Sequence, residues 1–107
     1  HGCAHQATDF WPHSNACTAC LGLPEEISIL RTVLGRGMLA IAVTSADRES
    51  GCWRHPDMAR IESAFGHVEA KERLRGDIPI YAFGASSGGA ATGQLAGLPG
   101  IGRRLKC

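Results

Sequence analysis

Ile78-Pro79-Ile80-Tyr81-Ala82-Phe83-Gly84-Ala85-Ser86-Ser87-Gly88-Gly89 decides how this chain is read. Six mostly apolar residues run into a turn of glycine, alanine and serine. Ala90-Ala91-Thr92-Gly93-Gln94-Leu95-Ala96 then continues as a run of small residues suited to a closely packed helix. The spacing Gly84-x-Ser86-x-Gly88 is that of a tight strand-to-helix turn carrying an exposed serine. Such a turn leaves no room for side chains two residues before or after the serine, so glycine stands at 84 and 88. Ser86 alone is in register, because Ser87 has alanine two residues upstream. The turn would lift the Ser86 hydroxyl above its surroundings. It would also place the Ser87 amide at a helix N-terminus, where the dipole favours negative charge.

Working upstream, Asp57 to about Leu74 is predicted to be helical. Asp57 is its cap, and Met58, Ile61, Phe65 and Val68 form its apolar stripe. A loop from Ser45 to Pro56 precedes it. Before that, Met38-Leu39-Ala40-Ile41-Ala42-Val43-Thr44 is apolar on both faces and predicts a strand covered on both sides. Another helix is predicted from Pro24, with Glu25 and Glu26 at its positive end, Ile27, Leu30 and Leu34 on one stripe, and Gly35 and Gly37 at its end. Residues 1–22 show no apolar period and predict a loop. Helix, strand, helix, strand, turn and helix in that order predict an α/β fold, part of a three-layer α/β/α sandwich around a parallel sheet.

Composition excludes several function classes. The chain has 107 residues, 44% hydrophobic, with a formal net charge of +1. That balance predicts neither nucleic acid nor an acidic membrane as partner, and no apolar run is long enough to span a bilayer. The five cysteines, Cys3, Cys17, Cys20, Cys52 and Cys107, leave at least one without an intrachain partner. Cys17-x-x-Cys20 suits a structural loop pair able to close a local disulfide. Half a zinc site completed from Cys3, Cys52, His5 and His13 is a weaker reading, because the sequence contains no second C-x-x-C or H-x-x-x-H, and so is a redox pair, because Leu21-Gly22-Leu23-Pro24 separates the cysteines from the helix such a pair should open. No resident metal is expected. The Gly/Ser turn lacks the Lys-Ser/Thr ending of a phosphate-binding loop, so a nucleotide role is also the weaker reading.

The glycine-flanked serine, together with His1-Gly2, resembles the α/β-hydrolase superfamily. His1-Gly2-Cys3, Cys17 to Glu26 and Asp47-Arg48-Glu49-Ser50-Gly51-Cys52-Trp53 resemble a group of plant and algal hydrolase-like proteins within it. The resemblance covers nearly the whole chain and implies the N-terminal half of the hydrolase core. It implies Ser86 as nucleophile, with the Ser87 backbone and the Gly2 and Cys3 backbone as oxyanion donors. The implied substrate is a small-molecule ester or amide, and no cofactor is needed. Asp9, Phe10, Trp11, Asp47, Arg48 and Trp53, with His1, are candidate pocket residues, weighed equally against a role in loop packing. His55 is read as a turn residue.

In that superfamily the acid and the histidine follow the serine. Here all five histidines (1, 5, 13, 55 and 67) precede Ser86, and no Asp, Glu or His follows it. The expectation is therefore one partial domain, residues 1–107, cut at both ends, with the hydrolase activity belonging to a longer parent. The alternative is a non-catalytic binding module whose cysteine-rich front loop is structural or holds a metal. Arg103-Arg104-Leu105-Lys106 is read as a solvated charge run.

Overall fold

The computed structural model describes residues 1–106. Three helices carry the architecture: α1 (Pro24–Gly35), α2 (Asp57–Glu72) and α3 (Ser87–Gln94). Short 3-10 turns lie at Ala7–Phe10, Leu95–Gly97 and Gly102–Arg104.

Each helix forms for a local reason. α1 opens on Pro24 with Glu25 and Glu26 in its first turn, where a missing N–H costs nothing and negative charge meets the dipole. It ends where Gly37, at φ 71°, turns the chain left-handed. Only Leu30 of its predicted stripe is buried, and Leu34 is exposed. α2 begins after Pro56 and closes with Arg73 in the left-handed conformation, its N–H donating to Ala70 O. The helix thus stops two residues before the predicted Leu74. Its stripe works as expected at Met58, which is buried, and at Ile61 and Phe65, which pack on the core.

That core is small. Met58, Ala91, Leu95 and Ile101 are buried together, ringed by Trp53, Ile61, Phe65, Ile80, Leu98 and Leu105. It welds α2 to α3 and to the segment after α3. Arg104 belongs to this weld. Its guanidinium lies 5.2 Å over the Phe65 ring, pairs with Glu69 and donates to Ile78 O at 2.9 Å. Arg104 is therefore packed into the core rim rather than part of the solvated charge run expected for residues 103–106.

The expected parallel sheet, and with it the α/β/α sandwich of a hydrolase core, does not form. Among the described residues no strand ladder exists. Two isolated bridges stand in its place, Ser14 with Cys17 (antiparallel) and Ile80 with Leu105 (parallel). The second uses Ile80 N–H to Arg104 O and Lys106 N–H to Ile80 O, both 2.9 Å. Segments 38–44 and 78–83 form no ladder with each other, and apart from the bridge at Ile80 they pair with no described residue; Leu39, Tyr81 and Phe83 are more than half exposed. The His1 ring meets Ser45 just past the first segment, and Gly2 abuts Ser86 just past the second. Apolar composition alone makes no sheet, because a strand needs a neighbour to exchange backbone hydrogen bonds with. Pro79 removes one further donor.

Candidate functional site

The front loop, the 45–54 loop and the start of α3 converge at Ser86. Ser86 caps α3 with φ 53° and ψ −124°, a sparsely populated conformation for a residue with a Cβ. The turn is closed by Gly88 N–H to Ala85 O at 2.9 Å and Ala90 N–H to Ser86 O at 3.2 Å. The glycines are there for space. A Cβ on Gly84 would sit 2.2 Å from Gly88 O, and one on Gly88 would sit 2.3 Å from His1 O. Gly2 is less crowded: a Cβ there would make ordinary contact with the Ser86 Cβ at 3.5 Å.

Ser86 is exposed, and among the described residues its hydroxyl has no hydrogen-bond partner. Nor does any described residue accept the N–H of Gly2, Cys3 or Ser87. Three free donors thus stand in the two segments flanking an exposed serine hydroxyl.

His1 is committed elsewhere. Its Nε2 accepts the Ser45 N–H at 3.1 Å, which leaves Nδ1 protonated and donating to Gly2 O at 2.8 Å. Trp53 fixes the same residue twice, stacking on the imidazole at 4.8 Å between centroids and donating its indole N–H to His1 O at 2.9 Å. The Trp53 backbone N–H reaches Ser87 Oγ at 3.4 Å. A disulfide joins Cys3 to Cys52, and Ser87 Oγ lies 3.4 Å from the Cys3 sulfur.

Asp47 and Arg48 line a separate shallow cleft of about 270 Å³, together with Ala4, His5, Ser45 and Gly51. Asp47 is spent on its own loop. Its carboxylate accepts the Glu49 and Ser50 N–H groups at 3.0 Å, the Ser50 hydroxyl at 2.6 Å and the Arg54 guanidinium at 3.2 Å. The Ser50 hydroxyl and amide above all, then the Glu49 amide and Arg54, hold its pKa well below the ordinary value of 3.8. A depressed carboxylate stabilises the fold fully above its unfolded pKa and loses that contribution as pH falls toward the folded one. Urea unfolding of wild type and Asp47→Asn should therefore show a constant stability gap above about pH 4 and a narrowing gap below it. A gap independent of pH would show that the Asp47 charge is immaterial.

Asp9 and Trp11 lie against α1 instead. Asp9 is buried; its carboxylate accepts the Gln6 N–H at 3.0 Å and meets His5 Nδ1 at 3.2 Å, while its carbonyl accepts Leu23 N–H. The Trp11 carbonyl packs beside Gly22, whose φ is 67°. Of the candidate pocket residues, only His1 and Trp53 stand at the Ser86 turn. His55 is exposed in the turn before α2.

Three organising features were missed from sequence. Asp57 is buried, with one oxygen accepting Ala46 N–H at 2.7 Å and the other Arg54 N–H at 2.8 Å. It is thus a tie across the 45–54 loop rather than the helix cap expected. Ser45 is fully buried and donates its hydroxyl to Gly51 O at 3.0 Å. Cys3 and Cys52, read as candidate metal ligands, pair with each other. Even spacing and polarity mark none of these, because each partner is distant in the sequence. The Cys17–Cys20 disulfide does close, within its loop. Among the described residues no cluster of three His, Cys, Asp or Glu side chains is placed to hold a metal ion, and no helix is long and apolar enough to cross a membrane.

No protein-family model matches the chain, and no curated protein or solved structure shows significant similarity to it.

Proposed function

We propose that Ser86 is the nucleophile of a serine hydrolase that cleaves a small carboxylic ester or amide through an acyl-enzyme. The supporting observation is the Ser86 backbone at φ 53°, held between two glycines whose positions admit no Cβ, with the hydroxyl exposed. Strain of this kind costs about 1–3 kcal/mol and persists where the surroundings impose it.

In the proposed reaction Ser86 Oγ bonds to the carbonyl carbon while a base takes its proton. The free N–H groups of Ser87 and of Gly2 or Cys3 donate to the oxygen that gains charge. Collapse expels the alcohol or amine, which receives the proton, and water then releases the acid. A hydroxyl needs an adjacent base to react well, and His1 is not that base, since both ring nitrogens are engaged. The imidazole and its carboxylate partner are proposed to come from outside residues 1–107.

A fluorophosphonate probe applied to the native protein tests this. The expected result is a covalent adduct on the peptide containing Ser86, abolished in Ser86→Ala and retained in Ser87→Ala. No adduct, or an adduct that survives Ser86→Ala, would overturn the assignment.

A further inference from the structure

The disulfide between Cys3 and Cys52 joins residues 49 apart in sequence at the point where the two loops meet the Ser86 turn. Cys3 follows Gly2, whose backbone packs on Ser86, and Cys52 precedes Trp53, which holds His1 O and Ser87 Oγ. Beyond the bridge the loops stay in register through Ala4 N–H to Ser50 O at 2.7 Å. Gly51, at φ 65°, approaches so closely that a Cβ there would lie 2.8 Å from Ala4 N. Both cysteines are partly exposed, so a small dithiol can reach them. The Cys17–Cys20 bridge closes within the front loop, between residues 3 apart in sequence.

We propose that the Cys3–Cys52 disulfide is a redox clamp on the Ser86 site. It holds the Gly2 and Cys3 amides beside the serine, and its reduction releases them and slows the reaction of Ser86. This rests on reading Ser86 as the nucleophile. The reductant is a dithiol. One of its thiolates attacks a bridge sulfur to give a mixed disulfide, and its second thiol displaces the protein. Two electrons and two protons pass to the protein, leaving Cys3 and Cys52 as thiols and the dithiol as a cyclic disulfide. Reduction removes the covalent tie between the two loops and leaves each thiol free to turn away from the other about its own Cα–Cβ bond. The Gly2-Cys3 segment has few other ties: the His1 contacts on one side and Ala4 on the other. Preorganised donors act only while they are held in place.

The test uses the native protein carrying Cys17→Ser and Cys20→Ser, so that the redox response comes from the remaining bridge. Fluorophosphonate labelling of Ser86 is timed before dithiothreitol, after it, and after reoxidation. Reduction is verified by thiol alkylation. Hydrogen exchange of the Ala4 amide, the Trp53 indole and the α2 amides is followed in parallel. The expected result is labelling at least about tenfold slower on reduction and restored on reoxidation. Ala4 and Trp53 exchange should quicken while α2 stays protected. An unchanged labelling rate in verified thiol protein overturns the clamp and leaves the serine assignment standing. Loss of protection throughout α2 also overturns it, since reduction then unfolds the whole chain. Absence of label on the oxidised protein overturns the serine assignment itself, and the clamp with it.

Discussion

Gly84→Ala and Gly88→Ala should each cost about 3 kcal/mol of stability and abolish labelling of Ser86. The two sites differ from ordinary overpacking because the obstacle is backbone. The new methyl group would lie 2.2 Å from Gly88 O in the first case and 2.3 Å from His1 O in the second. Real Cβ atoms do not come so close, and no rotamer change relieves the contact. Either the Ser86 turn opens or the His1-Gly2 segment is pushed away, and both movements displace the free amides from the serine. Gly93→Ala is the matched control. It lies in α3, where a Cβ would meet nothing within 4 Å, and should stabilise the helix by roughly 0.5–1 kcal/mol. Thermal unfolding and probe labelling of the three variants decide the matter. A Gly84→Ala protein with wild-type stability and labelling would show that the turn tolerates a Cβ, and the steric basis of the Ser86 assignment would fail.

The glycine-serine turn was legible because its physics is local. Gly84, Ser86 and Gly88 lie within five residues, and the need for space follows from their spacing. Helices α1 and α2 were legible for a similar reason: Pro24, the glutamates and the apolar period of α2 act within a few turns. The absence of the expected sheet among the described residues was not legible. Residues 38–44 and 78–83 have the composition of covered strands, yet a strand exists only where a second one offers hydrogen bonds, and composition does not specify that partner. Cys3 and Cys52 show the same limit, since five cysteines permit many pairings. Arg104 was misread because its neighbours in sequence are charged, whereas its neighbours in space are Phe65 and Glu69.

Asp57 gives the same lesson its largest energetic consequence. Replacing it with alanine should cost about 3 kcal/mol, since charge-assisted hydrogen bonds to a buried carboxylate are each worth roughly 1.5–3 kcal/mol. Its two oxygens satisfy the Ala46 and Arg54 N–H groups at 2.7 and 2.8 Å, and the residue is only 2% exposed. Water cannot easily replace an acceptor there. Asn would keep one acceptor but turn its amide toward the other N–H, so Asp57→Asn should recover little. For a domain of this size, 3 kcal/mol corresponds to a melting temperature lowered by roughly 15 °C. The consequence reaches the site, because Ala46 and Arg54 bracket the loop that carries Cys52 and Trp53. With that loop untied, Trp53 no longer holds His1 O or Ser87 Oγ in place. Ser86 labelling should then fall even at temperatures where far-ultraviolet circular dichroism shows the helices intact. An Asp57→Ala protein that loses less than about 1 kcal/mol and labels normally would show that the loop holds its shape without the carboxylate, and that the Ser86 site does not depend on it.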